Sequence, residues 1–408
     1  MNIDIRKVSL HFLLLSVGIA MSMTETPAGA AVSVREVRKI RNTAAPLDNQ
    51  MKKIELFVQE QVRSMLKVKD QSELKPLINN LMENSQHTSN QVDTRRIYSH
   101  RFSSALHSVV KNAYEQADQF ADQNLRWNIK LGLAFVTANA NNPVLIEDLI
   151  LFLKDKSEAV RYWAAKGLSL PIIQEYVQSN NVDNQNIVAD LLKILGETVE
   201  NENNEYVIAQ IARAAPVKYP EGVNILKGCI SKRISQYKDW TVADELVDLE
   251  IVEVINRIIE RGNIDRGQAG DLMLGVAKIV TLAYLRYTEG MTYKNADGKK
   301  IVLLPERNQE YLKTFLIQAE RLIHIITKSG AQQGRLKNIL LMNQWNKIKN
   351  ALRSILISID KTFEIYPPGT PSGSFLEELP PPPARIVERA LIRVSLDKKG
   401  SFVGDDQY

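Results

Sequence analysis

An all-α fold is the expectation for this 408-residue chain, and three observations carry it. Apolar residues in its periodic segments recur at spacings of three and four, as one buried helix face requires. Strand signals are sparse: there is no Asn-Gly hairpin pair, and alternating Val or Thr runs are few. Finally, Val144–Leu168 (VLIEDLILFLKDKSEAVRYWAAKGL) reads as two short amphipathic helices joined by a tight polar turn, with weaker copies on both sides. A helix pair of this kind cannot bury both faces alone and must stack on neighbours.

Residues 1–30 are expected to be a secretory signal peptide. Arg6 and Lys7 form its basic start, Val8–Met21 its apolar stretch, and Ala28-Gly29-Ala30 a cleavage site. The apolar stretch is short for a membrane span of about 20 residues, although an uncleaved anchor is the rival. With no cysteine beside the site, a lipoprotein is not expected. The expected compartment is therefore periplasmic or secreted. Later in the chain no run reaches 18 uninterrupted apolar residues, so no further transmembrane segment is expected.

Composition narrows the classes. The apolar fraction, 44%, suffices for a core. Cys229 is the only cysteine, so helix packing and not disulfides must hold the fold. Its apolar surroundings predict a buried, inert thiol. The net charge of +5 is modest. Export argues against nucleic acid; an acidic protein, an anionic glycan or a lipid surface suits the compartment better.

The elements follow in order. Residues 31–120 form an N-terminal helical region: a basic lead-in over Val32–Pro46, helices over Leu47–Lys67 and Ser72–Asn84, a polar loop, and a long helix over Thr94–Phe120. Residues 121–215 hold the repeats. Leu125–Leu133 and Val160–Leu168 align at a 35-residue offset, matching Arg126 to Arg161, Gly132 to Gly167 and Leu133 to Leu168. Glu205–Ala215 is a third, weaker copy. Ile146–Leu153 matches Val188–Leu195, with Asp148 over Asp190.

In this pattern Val160, Arg161, Ala164, Ala165 and Leu168 follow a Lys154–Glu158 turn, and it resembles the HEAT repeat. The resemblance covers Gln123–Ala215 at most and implies a right-handed α-solenoid. Small Ala164 and Ala165 would let helices approach, Val160 and Leu168 would fill the core, and Arg161 would reach an acceptor in the adjacent turn.

Residues 216–366 continue as longer helices, a bundle or a further stretch of solenoid. The expected spans are Pro220–Asp239, Val242–Arg261, Gly270–Tyr287, Glu306–Lys328 and Arg335–Glu364. Asp244 and Asp271 are expected in first turns, where the helix dipole favours a carboxylate. Gly262, Gly290 and Gly330 are expected just past helix ends. Tyr287–Leu304 predicts a short hairpin around Asp297-Gly298. Residues 367–408 form a proline-rich tail, largely extended or disordered. Its Pro380–Pro383 run is either a ligand for a groove or, more simply, a stiff spacer, and one short helix fits Ala384–Leu396.

Chemistry finds little purchase. His87, His100, His107 and His324 lack zinc-ligand spacing, so no metal is expected. Phosphate-binding glycine loops and a nucleophile elbow are missing. Glu377-Glu378 beside the prolines reads as solvated charge. No cofactor and no catalytic residue is assigned. Arg335–Ser358 carries five basic residues and no acid, beside an apolar stripe that includes Trp345. Arg335, Lys349 and Arg353 on one face would suit an anionic partner, though an ordinary packed helix with a solvated basic edge reads as well. Trp127 and Trp163 hold similar repeat positions and are candidate partner contacts or inter-repeat core. The function expected is an exported, non-catalytic scaffold binding another protein through a helical-repeat surface. The alternative is an α/α enzyme acting on a cell-envelope polysaccharide.

Overall fold

The computed structural model describes residues 32–43, 46–86, 88, 90–179, 184–295, 297–328, 334–342 and 344–398. The expected signal peptide, His87, Gly330 and the last ten residues lie outside them, as do the side chains of Leu341, Trp345, Asn346 and 394–398. The described residues are all-α, and their only β-pairing is one isolated bridge. Two compact units divide the chain, Met1–Ile194 and Leu195–Tyr408.

The first unit contains α1 (Val34–Arg41), α2 (Asp48–Met65), α3 (Gln71–Glu83), α4 (Val92–Ala117), α5 (Gln123–Ala140), a 3-10 turn, α6 (Ile146–Leu153), α7 (Glu158–Leu168) and α8 (Pro171–Val177). Side-chain caps set several starts: Asp70 accepts from the Ser72 amide at 2.7 Å and Asp122 from the Asn124 amide at 2.8 Å. Helices pack on the helix two positions along: α2 on α4, α3 on α5, α5 on α7, and more lightly α4 on α6. This forms two rows. The aligned glycines serve one purpose in theirs. A methyl at Gly132 would meet Ile78 of α3 at 2.5 Å, and one at Gly167 would meet the Ala138 backbone of α5 at 2.9 Å. Each glycine lets its helix approach the preceding one in its row.

Val144–Leu168 folds as its sequence predicts. Asp155 organises the turn: its Oδ1 accepts from the Ser157 amide at 2.6 Å, and its carbonyl accepts from Arg161 Nη1 at 2.8 Å. Arg161 thus reaches the turn, while Val160, Ala164, Ala165 and Leu168 are buried. The opposite carboxylate oxygen of Asp155 accepts from Tyr114 of α4 and pairs with Lys130 of α5 at 3.5 Å.

Helix α9 (Gln185–Asn201) spans the border between the units. The second unit contains α10 (Glu205–Ala214), α11 (Pro220–Lys238), α12 (Val247–Glu260), α13 (Arg266–Thr292), α14 (Glu306–Ile326), α15 (Arg335–Leu341), α16 (Trp345–Phe363) and α17 (Ala384–Lys398). The same alternation recurs, with α10 on α12 on α14 and α11 on α13 on α16. Helix α13 is long and apolar enough to cross a membrane, and 61% of its apolar window is buried within the protein. Cys229 is buried too, which pushes its thiol pKa up.

Several expectations are corrected here. Helix α12 starts at Val247 because Asp244 instead caps the loop before it, accepting from the Leu246 amide at 2.9 Å. Helix α13 starts at Arg266, where Asp265 and Gln268 form a reciprocal capping box, so Asp271 lies beyond the first turn. Gly290 lies inside α13, pressed against Leu304; Gly262, at φ +66°, does terminate its helix. The expected hairpin is reduced to a Lys294–Lys300 bridge, because α13 consumes Met291 and Thr292. Arg335–Glu364 is two helices: α15 ends at Leu341, and the Gln344 amide wraps back to the Ile339 carbonyl at 3.0 Å.

The core of the second unit carries a buried ionic network. Arg233 is fully buried and donates to Asp248, Glu205, Gln236 and the Asp244 carbonyl. Tyr237 donates to Asp248 at 2.7 Å. Beside it, Glu245 pairs with Arg286 at 3.6 Å and accepts from Asn308 at 3.1 Å.

Candidate functional site

The side chains that best combine an organised geometry with an open surface lie between α4 and α6. His107 and Lys111 share one face of α4, four residues apart, and Asp148 projects from α6. His107 Nδ1 and Asp148 Oδ2 are 2.8 Å apart. The Asp148 side chain is 3% exposed and that of His107 42%. Burial pushes the Asp148 pKa up to about 6, and the His107 contact opposes that rise. The pair lines a groove of about 520 Å³, with Lys111, Glu115, Glu147 and Leu151 around it.

A carboxylate that holds Nδ1 orients the ring and leaves Nε2 for the groove. Such an imidazole can exchange a hydrogen bond with a bound group. The neighbouring Ser108 is not aligned with it: its hydroxyl donates to the Ala105 carbonyl of its own helix at 2.7 Å. Nor, among the described residues, do three His, Cys, Asp or Glu side chains converge as a metal would need.

This pairing was missed by sequence reasoning, which weighed His107 only for zinc-ligand spacing among the histidines. His100 is exposed and takes no part. The available signal was Asp148 itself. Of the two acids in the IEDLILFL helix, Asp148 lies four residues before Phe152, on an apolar face, where a carboxyl needs a partner.

The residues singled out from sequence disperse. Trp127 donates its Nε1–H to Ser157 in the α6–α7 turn. Trp163 stands edge-on to Phe135 at 4.5 Å, with Lys166 Nζ 4.3 Å over its ring. Both indoles are half-buried and join helices within the first unit. Arg335 is on α15 and Lys349 and Arg353 are on α16, so the three do not share one helix. Lys349 Nζ instead lies 5.6 Å from the ring of Phe375, in the tail. Glu377, expected as solvated charge, is clamped between Lys238 at 2.6 Å and Lys278 at 3.2 Å, and these lysines hold its pKa below the usual glutamate value.

No protein-family model matches this chain, and no curated protein does.

Proposed function

We propose that this chain is an exported, non-catalytic interaction scaffold, built as an α-solenoid of HEAT-like helix pairs. Its partner is another protein, bound through the α4–α6 groove. The observation that carries this reading is the oriented His107 on its buried Asp148, set among charges of both signs on an exposed two-helix surface. Mixed charge on a shallow helical surface suits a polar protein segment. Within each unit the alternating rows, α3 on α5 on α7 in the first and α10 on α12 on α14 in the second, support helix pairs stacked as in a solenoid. Export rests on the basic, apolar and small-residue order of residues 1–30.

The polysaccharide enzyme would need two carboxyls facing one cleft. Three buried acids with raised pKa are held by other groups: Asp148 by His107, Glu205 by Arg233, and Glu245 by Arg286 and Asn308.

The test is affinity capture from envelope extract at low salt. The wild-type chain is compared with Lys111→Glu/Glu147→Lys and with Arg335→Glu/Lys349→Glu/Arg353→Glu. The groove variant should lose the partner and the basic-residue variant keep it. Equal capture by all three, or no specific partner for any, would sink the proposal.

A further inference from the structure

The tail supplies its own evidence about a second surface. Residues 374–383 (Ser-Phe-Leu-Glu-Glu-Leu-Pro-Pro-Pro-Pro) run in irregular conformation along α11, α13 and α16. Three anchors hold them. The Phe375 ring lies 5.5 Å from Tyr284 of α13, and Lys349 of α16 sits over it. Glu377 is gripped by Lys238 of α11 and Lys278 of α13. Trp240 donates its indole N–H to the Pro380 carbonyl at 2.9 Å.

These anchors differ from ordinary core packing. Among the described residues, no backbone-to-backbone hydrogen bond ties 375–382 to the helices beneath. Lys238 and Lys278 keep 39% and 32% of their side chains in solvent. Leu379 is the buried apolar contact of the segment, whereas Glu378 and Pro380–Pro381 are exposed. Gly369 and Gly373, both at positive φ, flank the bend that delivers the segment. An extended, proline-stiffened segment held by an aromatic, a carboxylate and one carbonyl is how grooves recognise such peptides in trans.

We propose that Trp240, Lys238, Lys278, Tyr284 and Lys349 form a recognition groove for extended segments of the pattern Phe-x-Glu-x-x-Pro. The chain's own Phe375, Glu377 and Pro380 fill it. The occupant it serves is a partner protein presenting the same spacing, which must displace the tethered segment. A tethered competitor acts at an effective concentration of order mM, so the resting chain binds such partners weakly.

The experiment uses the full chain and a labelled peptide of residues 374–383. Wild type should bind it poorly. Phe375→Ala/Glu377→Ala, which frees the groove, should bind roughly tenfold tighter or better. Adding Lys238→Glu/Lys278→Glu should abolish that gain, and a peptide carrying Glu377→Lys should restore binding to this charge-swapped chain. Should the double variant lose its helical circular dichroism, Glu377→Gln alone replaces it. Equal binding by wild type and freed chain, or none by a folded freed chain, overturns the proposal. So does dimerisation of the freed chain in place of peptide binding, which would assign the groove to a second copy.

Discussion

Arg233 and Asp248 form a two-pronged ion pair out of contact with solvent: Nε to Oδ1 is 2.6 Å and Nη2 to Oδ2 is 3.1 Å, with both side chains at 0% exposure. The pair joins α11 to α12, and Glu205 brings in α10. Removing one partner strands the other charge in the core. Arg233→Met should therefore cost about 3–5 kcal/mol in urea unfolding. Replacing Arg233, Asp248 and Glu205 together by apolar residues should recover most of that loss. A loss under 1 kcal/mol for the single change would mean that the network carries little stability.

Stability should fall as the pH rises toward neutrality. Burial raises the Glu245 pKa from 4.5 to about 7 and that of Asp148 from 3.8 to about 6. Both groups hold their protons longer in the folded chain than in the unfolded one. Their contribution is complete below the unfolded values and is lost as pH passes through the folded ones. For Glu245 this amounts to something on the order of 3 kcal/mol. Glu245→Gln should flatten the stability profile between about pH 5 and 8. An unchanged slope in that variant would exclude Glu245 as its source.

Two helix glycines should respond in opposite directions to alanine. At Gly167 a methyl would meet the Ala138 backbone at 2.9 Å, and backbone yields little; a loss of about 1–3 kcal/mol is expected. At Gly196 nothing lies within 4 Å, so alanine should stabilise α9 by about 0.5–1 kcal/mol. Thermal melts of the two variants check the signs.

Trp127→Phe keeps most of the ring but removes the hydrogen bond to Ser157. A loss of about 1 kcal/mol is expected, with partner capture unchanged. Loss of capture without loss of stability would make this indole a binding residue.

Local order was legible wherever a turn carried its own chemistry. The α6–α7 unit could be read from Asp155, Ser157 and Arg161, because capping and turn bonds join near neighbours. Helix ends went wrong where the deciding side chain acts a few residues outside the apolar pattern, as Asp265 does for α13. The break at Met342–Gln344 left no mark in the apolar spacing, since the stripe of α15 and α16 stays nearly in phase. Site geometry was least legible. His107 and Asp148 are 41 residues apart, and Glu377 meets Lys238 across a still longer stretch. Spacing along one helix says nothing of such meetings; only the stacking of rows creates them.

Trp240 itself points to an order of events. It occupies a left-handed backbone position, φ +58°, unusual for a bulky residue. The carbonyl that its indole binds lies 140 residues downstream. At about 5–20 residues per second of synthesis, that carbonyl follows the indole by roughly seven to thirty seconds. Closure of the tail thus follows the helices it covers, and for that interval the newborn helices carry an uncovered indole that a chaperone or an early partner meets before the chain meets itself.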